Sequence, residues 1–405
     1  MDEIKTAARM QWIDGIPVWG EPEEGAVAQM RNCARHEDVV GAALMADHHL
    51  GYAVPVGGVI AYGEHLSPSG CGFDIGCGNK AVRLDADADR VRADIAPLMD
   101  SIWQELSFGV GRKNATPVEH LLFDDDPAWA IPEVAALKDM AAAQLGTIGS
   151  GNHYVDLFVD EAEQVWVGVH FGSRGLGHKL ASHFIKAGGG QDGIHVDPVL
   201  LHQDSDLGQQ YLACMQLAGR YAYAGRDWVC ARVAEILGSE VLEEVHNHHN
   251  YIWRETHGGR EVWVVRKGAT PAFAGQRGFV GGTMGDLSVI LEGVEDPTSP
   301  AAMHSTVHGA GRAMSRTEAA GKYKGWGAKR TLVRPGKIST EMMAGWLADF
   351  GGVELRGGGL DEAPQAYKRL PEVLAAHAGS LRVLHTLRPL GVAMAGFGEF
   401  DPYKD

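Results

Sequence analysis

Apolar residues recur along this chain at two spacings. Short runs bounded by glycine, proline or charge predict strands at 16–19, 54–61, 80–84, 154–159, 165–169, 251–253 and 261–267, with Pro55 at a strand start or edge. An apolar stretch at 39–45 leads into the first glycine-rich run. Apolar residues at helical intervals predict helices at 5–10, 24–36, 85–105, 128–145, 338–350 and 367–376. The stretch 205–236 reads as two helices broken near Gly225, and 380–395 as a final strand or two. The stretch 315–320 has neither glycine nor proline and supports a helix.

Between these elements lie loops unusually rich in glycine. The stretch 67–78 carries a carboxylate, Asp74, and a thiol, Cys77, among Gly70, Gly72, Gly76 and Gly78. Such a run is too permissive for a regular helix or strand. An oxygen donor beside a thiolate suits Mn, Fe, Co or Zn. Two strands carry a histidine at a glycine-rich end, His153 and His170. If they pair as antiparallel neighbours through a turn at Asp160–Glu161, the two imidazoles share one sheet end. A further cluster, His246, His248 and His249, offers one more ligand. His308 stands beside two glycines, with Arg312 and Arg316 one turn apart if a helix starts there. A helix N-terminus with arginine binds anions, and a neutral imidazole there can attack phosphorus. Arg174, Lys267, Arg312 and Arg316 are the candidates to neutralise phosphates. The segment 322–330 is basic and holds Trp326, which could stack on a base.

Bulk properties narrow the field. The 405 residues hold 54 Gly, 19 His and five Cys, with a formal net charge of −16. That balance argues against a surface that coats DNA nonspecifically, although a local basic cleft can still hold phosphate. The five cysteines show no CxxC pair, so a disulfide scaffold is disfavoured and a reducing compartment favoured. The first residues lack a signal-peptide pattern, and no apolar run approaches bilayer length. The expectation is a cytoplasmic protein with no membrane partner. No Walker pattern is present. Glycine-flanked stretches from residue 47 to 312 suggest one domain, 1–405, whose loops converge on one cleft.

The order of these motifs resembles a known family. Asp47-His48, Gly57-Gly58-Val59, Asp74-Ile-Gly-Cys77-Gly, Gly151-Asn-His153, His170-Phe-Gly-Ser-Arg174-Gly, His248-His249-Asn250, Arg266-Lys267-Gly-Ala, Gly282-Thr-Met-Gly and His308-Gly-Ala-Gly-Arg312 look like the motifs of RtcB-type RNA ligases. They span residues about 45 to 316. The resemblance implies an α/β (α+β) fold with a central β-sandwich-like core and peripheral helices. It implies a GTP- and Mn-dependent ligase that joins RNA ends bearing a 3′-phosphate or 2′,3′-cyclic phosphate to 5′-hydroxyl ends, in RNA repair or tRNA splicing. It leaves room for an activating protein.

By motif position, His308 takes GMP covalently. Cys77 bridges two Mn ions, with Asp74, His153, His170 and His249 completing their shells. Asn152, Asn250, Gly281, Gly282, Thr283, Met284, Ser288, Gly309, Ala310 and Gly311 match guanylate-holding positions. Arg174 and Arg312 look placed for RNA or nucleotide phosphates. The sequence departs from the family near its end. Ala395 stands where a guanine-contacting lysine is usual, and Lys404 is a substitute candidate. The rival readings are a metal-dependent RNA phosphoesterase with water as acceptor, and a non-catalytic RNA-binding protein.

Overall fold

The computed structural model describes residues 10–324 and 331–396. Its strands form two large sheets. The first has the order 10–13, 16–19, 39–49, 56–62, 260–267, 250–257. The second runs 241–248, 78–84, 165–171, 154–159, 381–396, 288–293, 277–280, with 354–358 lying parallel to 381–396.

Strand periodicity explains how the layers stack. In the first sheet Ala43, Met45, Val59 and Val264 face one way, and they share an apolar cluster with Val280, Val289 and Leu291 of the second sheet. Their neighbours Leu44, Ile60 and Val265 face the other way, into a cluster with helix residues such as Leu180 and Tyr211. The second sheet repeats the pattern. Val82, Leu157 and Val169 pack on Val229 and Val233, whereas Ala81, Phe158 and Trp166 pack with Phe279 and Ile290. Sheets buried on both faces read as continuous apolar runs, which is how 154–159 and 165–169 read in the sequence.

The α/β class and the sandwich-like core hold, while several element boundaries move. The helix Asp206–Leu237 is continuous over 32 residues. Gly225 does not break it, and a Cβ there would meet Phe171 at 3.3 Å, so the glycine admits close packing. The stretch 85–105 divides at Asp94 into Ala88–Ala93 and Ile95–Glu105. The stretch 128–145 divides into two single turns opened by proline, Pro127–Ala130 and Pro132–Ala135, and the helix Lys138–Gln144. The segment 245–250 is mostly strand, Val241–His248. The strands Arg277–Val280 and Ser288–Gly293 flank the loop 281–287. The stretch 380–395 is one strand, Leu381–Gly396, and the last helix is confined to Leu370–Ala375. The expected helix at 5–10 lies outside the described residues except for Met10, which starts a strand. Trp326 and Lys404 also lie outside them. Among the described residues no helix is long and apolar enough to cross a membrane.

The long helix is closed at both ends. Ser205 Oγ accepts from the Gly208 N–H at 3.0 Å, and Gly238 takes a left-handed φ of +64° with open space around its Cα. Gly238→Ala therefore adds only backbone strain. It should destabilise the fold by about 1 kcal/mol, read as a lower urea midpoint by far-ultraviolet circular dichroism.

Candidate metal and nucleotide site

Strand order brings the candidate ligands together. The strand Gly78–Leu84 lies between Val241–His248 and Val165–Phe171, and Tyr154–Val159 lies beyond that. Gly78 pairs with His248 on one side and Phe171 on the other. His170 pairs with Tyr154, as an antiparallel turn at 160–164 requires. His249, Cys77, His170 and His153 are therefore drawn to one sheet end from four adjacent strands.

The loop before Gly78 is fixed locally. Cys77 N–H donates to the Asp74 carbonyl at 3.0 Å, and Gly76 N–H to the Asn250 carbonyl at 2.8 Å. Gly76 has φ +70°, and a Cβ there would meet the Gly219 backbone at 3.2 Å. Only glycine suits that turn.

The side chains form two triads that share one sulfur. Cys77, His170 and His249 make one, and Asp74, Cys77 and His153 the other, each with its donor atoms within 4.8 Å. Cys77 Sγ lies 3.2 Å from His170 Nε2 and 3.7 Å from His153 Nε2. His170 Nε2 is 3.3 Å from His249 Nε2, and His153 Nε2 is 3.0 Å from Asp74 Oδ2. The Asn152 carbonyl, 3.0 Å from His170 Nδ1, accepts that nitrogen's N–H and leaves the Nε2 lone pair free for a metal.

Protonation fits such a role. Burial, then neighbouring imidazoles, holds His170 and His249 well below the ordinary histidine range. Burial and then Arg174 act likewise on His153. Burial works against the Asp74 carboxylate, but His153 and Arg174 outweigh it and keep it ionised. Burial and then Asp74 push the Cys77 thiol well up. A nitrogen, oxygen and sulfur set with neutral imidazoles fits divalent transition metals. Cys77 would enter as thiolate only with a cation beside it.

The imidazole of His308 stands next to this cluster, its ring centroid 4.9 Å from that of His249. It follows the short strand Ser305–Val307, and Arg312 is not in a helix. The helix begins only at Arg316, where Ser315 caps it, so the expected one-turn spacing of the two arginines is replaced by a loop. His308 Nδ1 lies 2.6 Å from Asp47 Oδ2, which also accepts from the His308 N–H at 2.9 Å. Asp47 is wholly buried. Burial opposes its charge, but the His308 imidazole and hydrogen bonds hold its carboxyl below the usual range. Asp47 thus accepts a hydrogen bond from the His308 Nδ1–H and leaves the Nε2 lone pair free.

A cavity of about 300 Å³ joins these groups. It is walled by the triads, His308, Asn152, Asn250, 281–284 and 309–312. Ser288 supports the wall, its Oγ accepting from the Gly282 N–H at 2.9 Å. Arg312 reaches the cavity but is held by Glu362 at 3.1 Å, the Tyr367 hydroxyl at 2.8 Å and the Asp361 carbonyl at 2.6 Å. Arg174 lines an adjoining cleft of about 510 Å³ with Lys179, Lys267 and Arg316. One of its guanidinium nitrogens lies 3.0 Å from His153 Nδ1.

A model of the family described as tRNA-splicing ligase RtcB matches residues 29–135 and 130–395. The chain belongs to the RtcB family. It is 31% identical to the RNA-splicing ligase RtcB of Escherichia coli strain K12, over 93% of this chain and 95% of that one. It is 30% identical to the tRNA-splicing ligases RtcB of Thermococcus kodakarensis, over 86% of each chain, and of Archaeoglobus fulgidus, over 92% and 91%.

Against this RtcB background three residues gain a place that the sequence reading did not give them. Asp47 orients His308, Glu362 clamps Arg312, and Asp156 lines the cavity with its Oδ1 unpartnered. Burial pushes the Asp156 carboxyl well up. Its signal was present in the pattern, a carboxyl on the same strand face as Tyr154 and Phe158, where alternation demands an apolar group. Ala395 packs beside the apolar cluster that holds Val229, while Val392 and Met394 line the cavity.

Cys77→Ala removes the atom common to both triads. Purified variant protein should bind less than about half the divalent metal of the parent by elemental analysis, and full occupancy would contradict a shared sulfur.

Proposed function

We propose that this chain is a GTP-dependent RNA ligase, joining 3′-phosphate or 2′,3′-cyclic phosphate ends to 5′-hydroxyl ends. The observation that carries the reading is the His308 imidazole, its Nδ1 held by a buried carboxylate and its Nε2 free beside two ligand triads. His308 Nε2 attacks the α-phosphorus of GTP, a P–N bond forms and pyrophosphate leaves. GMP then passes from His308 to the RNA 3′-phosphate, which frees the imidazole, and attack by the 5′-hydroxyl expels GMP as the new phosphodiester forms. A cyclic end is first opened by water to the 3′-phosphate.

Asp74, Cys77, His153, His170 and His249 would hold two Mn ions, with Cys77 common to both. When bound, the ions supply charge for the phosphoryl oxygens. Asn152, Asn250 and the glycine-rich walls at 281–284 and 309–311 hold the nucleotide. Arg174 and Lys267 serve phosphates in the adjoining cleft, and Arg312 stiffens the cavity wall. Asp156 is the group suited to a guanine edge: burial alone keeps its carboxyl neutral, and the N1–H and N2–H donors of guanine, which adenine lacks, would favour its ionised, acceptor-only form. That contact supports a preference for GTP with alanine at 395. RNA repair or tRNA splicing is the setting, in the cytoplasm, with a single domain spanning the chain.

Incubation with α-labelled GTP and Mn tests the first step. The parent protein should retain label, and His308→Ala should retain none while unfolding at the parent's temperature. Asp47→Asn, which replaces the carboxylate by a neutral amide whose NH2 can donate to Nδ1 and favour the wrong tautomer, should slow labelling at least roughly tenfold. Label surviving in His308→Ala would place the nucleophile elsewhere. Joining of an RNA pair with the two required ends, followed on a gel, separates ligation from phosphate release to water.

Metal uptake carries its own pH signature. The Cys77 thiol, pushed well above its ordinary value, must lose its proton to bind. Mn affinity should therefore fall as pH falls, by about tenfold per unit for one displaced proton. A titration of Mn affinity between pH 6 and about 8 checks the slope, and a flat profile would exclude a protonated Cys77 as the starting state.

A further inference from the structure

The helix Arg316–Ala320 ends at Gly321, and the chain leaves it as a separate two-stranded ribbon, Gly321–Lys324 paired with Thr331–Pro335. This ribbon joins neither large sheet. Lys322, Lys324 and Arg334 are exposed, as are Leu332 and Val333. An isolated pair of strands is marginal in water. Its register adds a cost, because Lys322 stands directly opposite Arg334. Like charges in that position repel.

The charge pattern names what would relieve the repulsion. Residues 321–337 include Lys322, Lys324, Lys329, Arg330, Arg334 and Lys337 and no Asp or Glu, in a chain of formal net charge −16, and of these Lys337 is paired with Glu318 outside the segment. A basic ribbon on an acidic protein concentrates attraction for a polyanion at one place. Its foot is tied to the site. Lys337 and Ile338 N–H groups donate to the carbonyls of Glu318 and Ala319 in the helix, and Arg316, which opens that helix, lines both the cavity and the adjoining cleft.

We propose that the ribbon is an RNA arm: Lys322, Lys324 and Arg334 hold the sugar–phosphate backbone of the substrate strand beyond its reacting end. This rests on the RNA ligase reading and adds the surface that grips the strand away from the chemistry. Strands of four and five residues at ~3.3 Å each extend about 15 Å, long enough to run beside a few nucleotides. The contact positions the strand without reading its bases.

The test compares the full chain with the triple variant K322Q/K324Q/R334Q. Binding of 3′-phosphorylated RNAs of about 20 and about 4 nucleotides is followed by fluorescence anisotropy across salt concentration. For the long RNA the variant should bind about tenfold more weakly near 0.1 M salt, with a salt slope shallower by roughly 2. The loss should be alike for unrelated sequences. The short RNA should bind both proteins equally, and K322R/K324R/R334K should restore the parent's behaviour. Unchanged affinity and slope on the long RNA would overturn the proposal, as would an equal loss on the short one. So would charge-dependent binding of an acidic protein segment with RNA binding untouched. Labelling of His308 by GTP without RNA is measured on the same preparations and should be equal in parent and variant. If neither protein takes label but the RNA results hold, the ligase reading falls and the arm stands.

Discussion

Everything at the site depends on the register of one strand. Gly78 is paired on both sides, with Phe171 and with His248, so Cys77 is delivered between His170 and His249. Side chains alternate along a strand, and a slip of one residue on either side would turn an imidazole to the opposite face. Both faces of this sheet are packed, which penalises such a slip. The apolar layers, which carry no chemistry themselves, thereby set the ångström-scale placement of the sulfur and the ring nitrogens.

A buried guanidinium secures the same strand ends from behind. Arg226, in the middle of the long helix, is fully buried. It donates to the carbonyls of Gly76 and Phe171 at 2.9 and 2.6 Å, and it lies 3.0 Å from His248 Nδ1. Each of those groups neighbours a candidate ligand. Among its described hydrogen bonds none goes to a carboxylate, so its charge is met by carbonyl dipoles and imidazoles. The unbroken course of Asp206–Leu237 matters for this reason, since a kink at Gly225 would swing Arg226 away from the loop it holds.

Much of this was legible in the sequence, and the gaps have physical causes. The apolar runs at 154–159 and 165–169 placed two strands and their terminal histidines correctly, because fully buried strands leave a continuous apolar signature. The motifs around Asp74, Cys77 and His308 marked the cavity walls. Propensity and pattern could not place helix breaks made by a cap, as at Asp94, nor a glycine kept for close packing, as at Gly225. Pro132, by contrast, was in plain view and should have divided 128–145. The role of Asp47 is invisible in the sequence, since its partner His308 lies 261 residues away. Arg312 read as a free phosphate ligand because its clamp, Glu362 and Tyr367, comes from another part of the chain.

The burial of the sulfur has a consequence for chemical durability. All five cysteines are free and buried. Burial raises Cys33, Cys71, Cys214 and Cys230 to about 12, and Cys77 also lies well above its ordinary value. Peroxides and alkylating electrophiles react with the thiolate form. With no cation beside it, Cys77 is therefore an inert thiol, protected from accumulating sulfenic acid although it lines an open cavity.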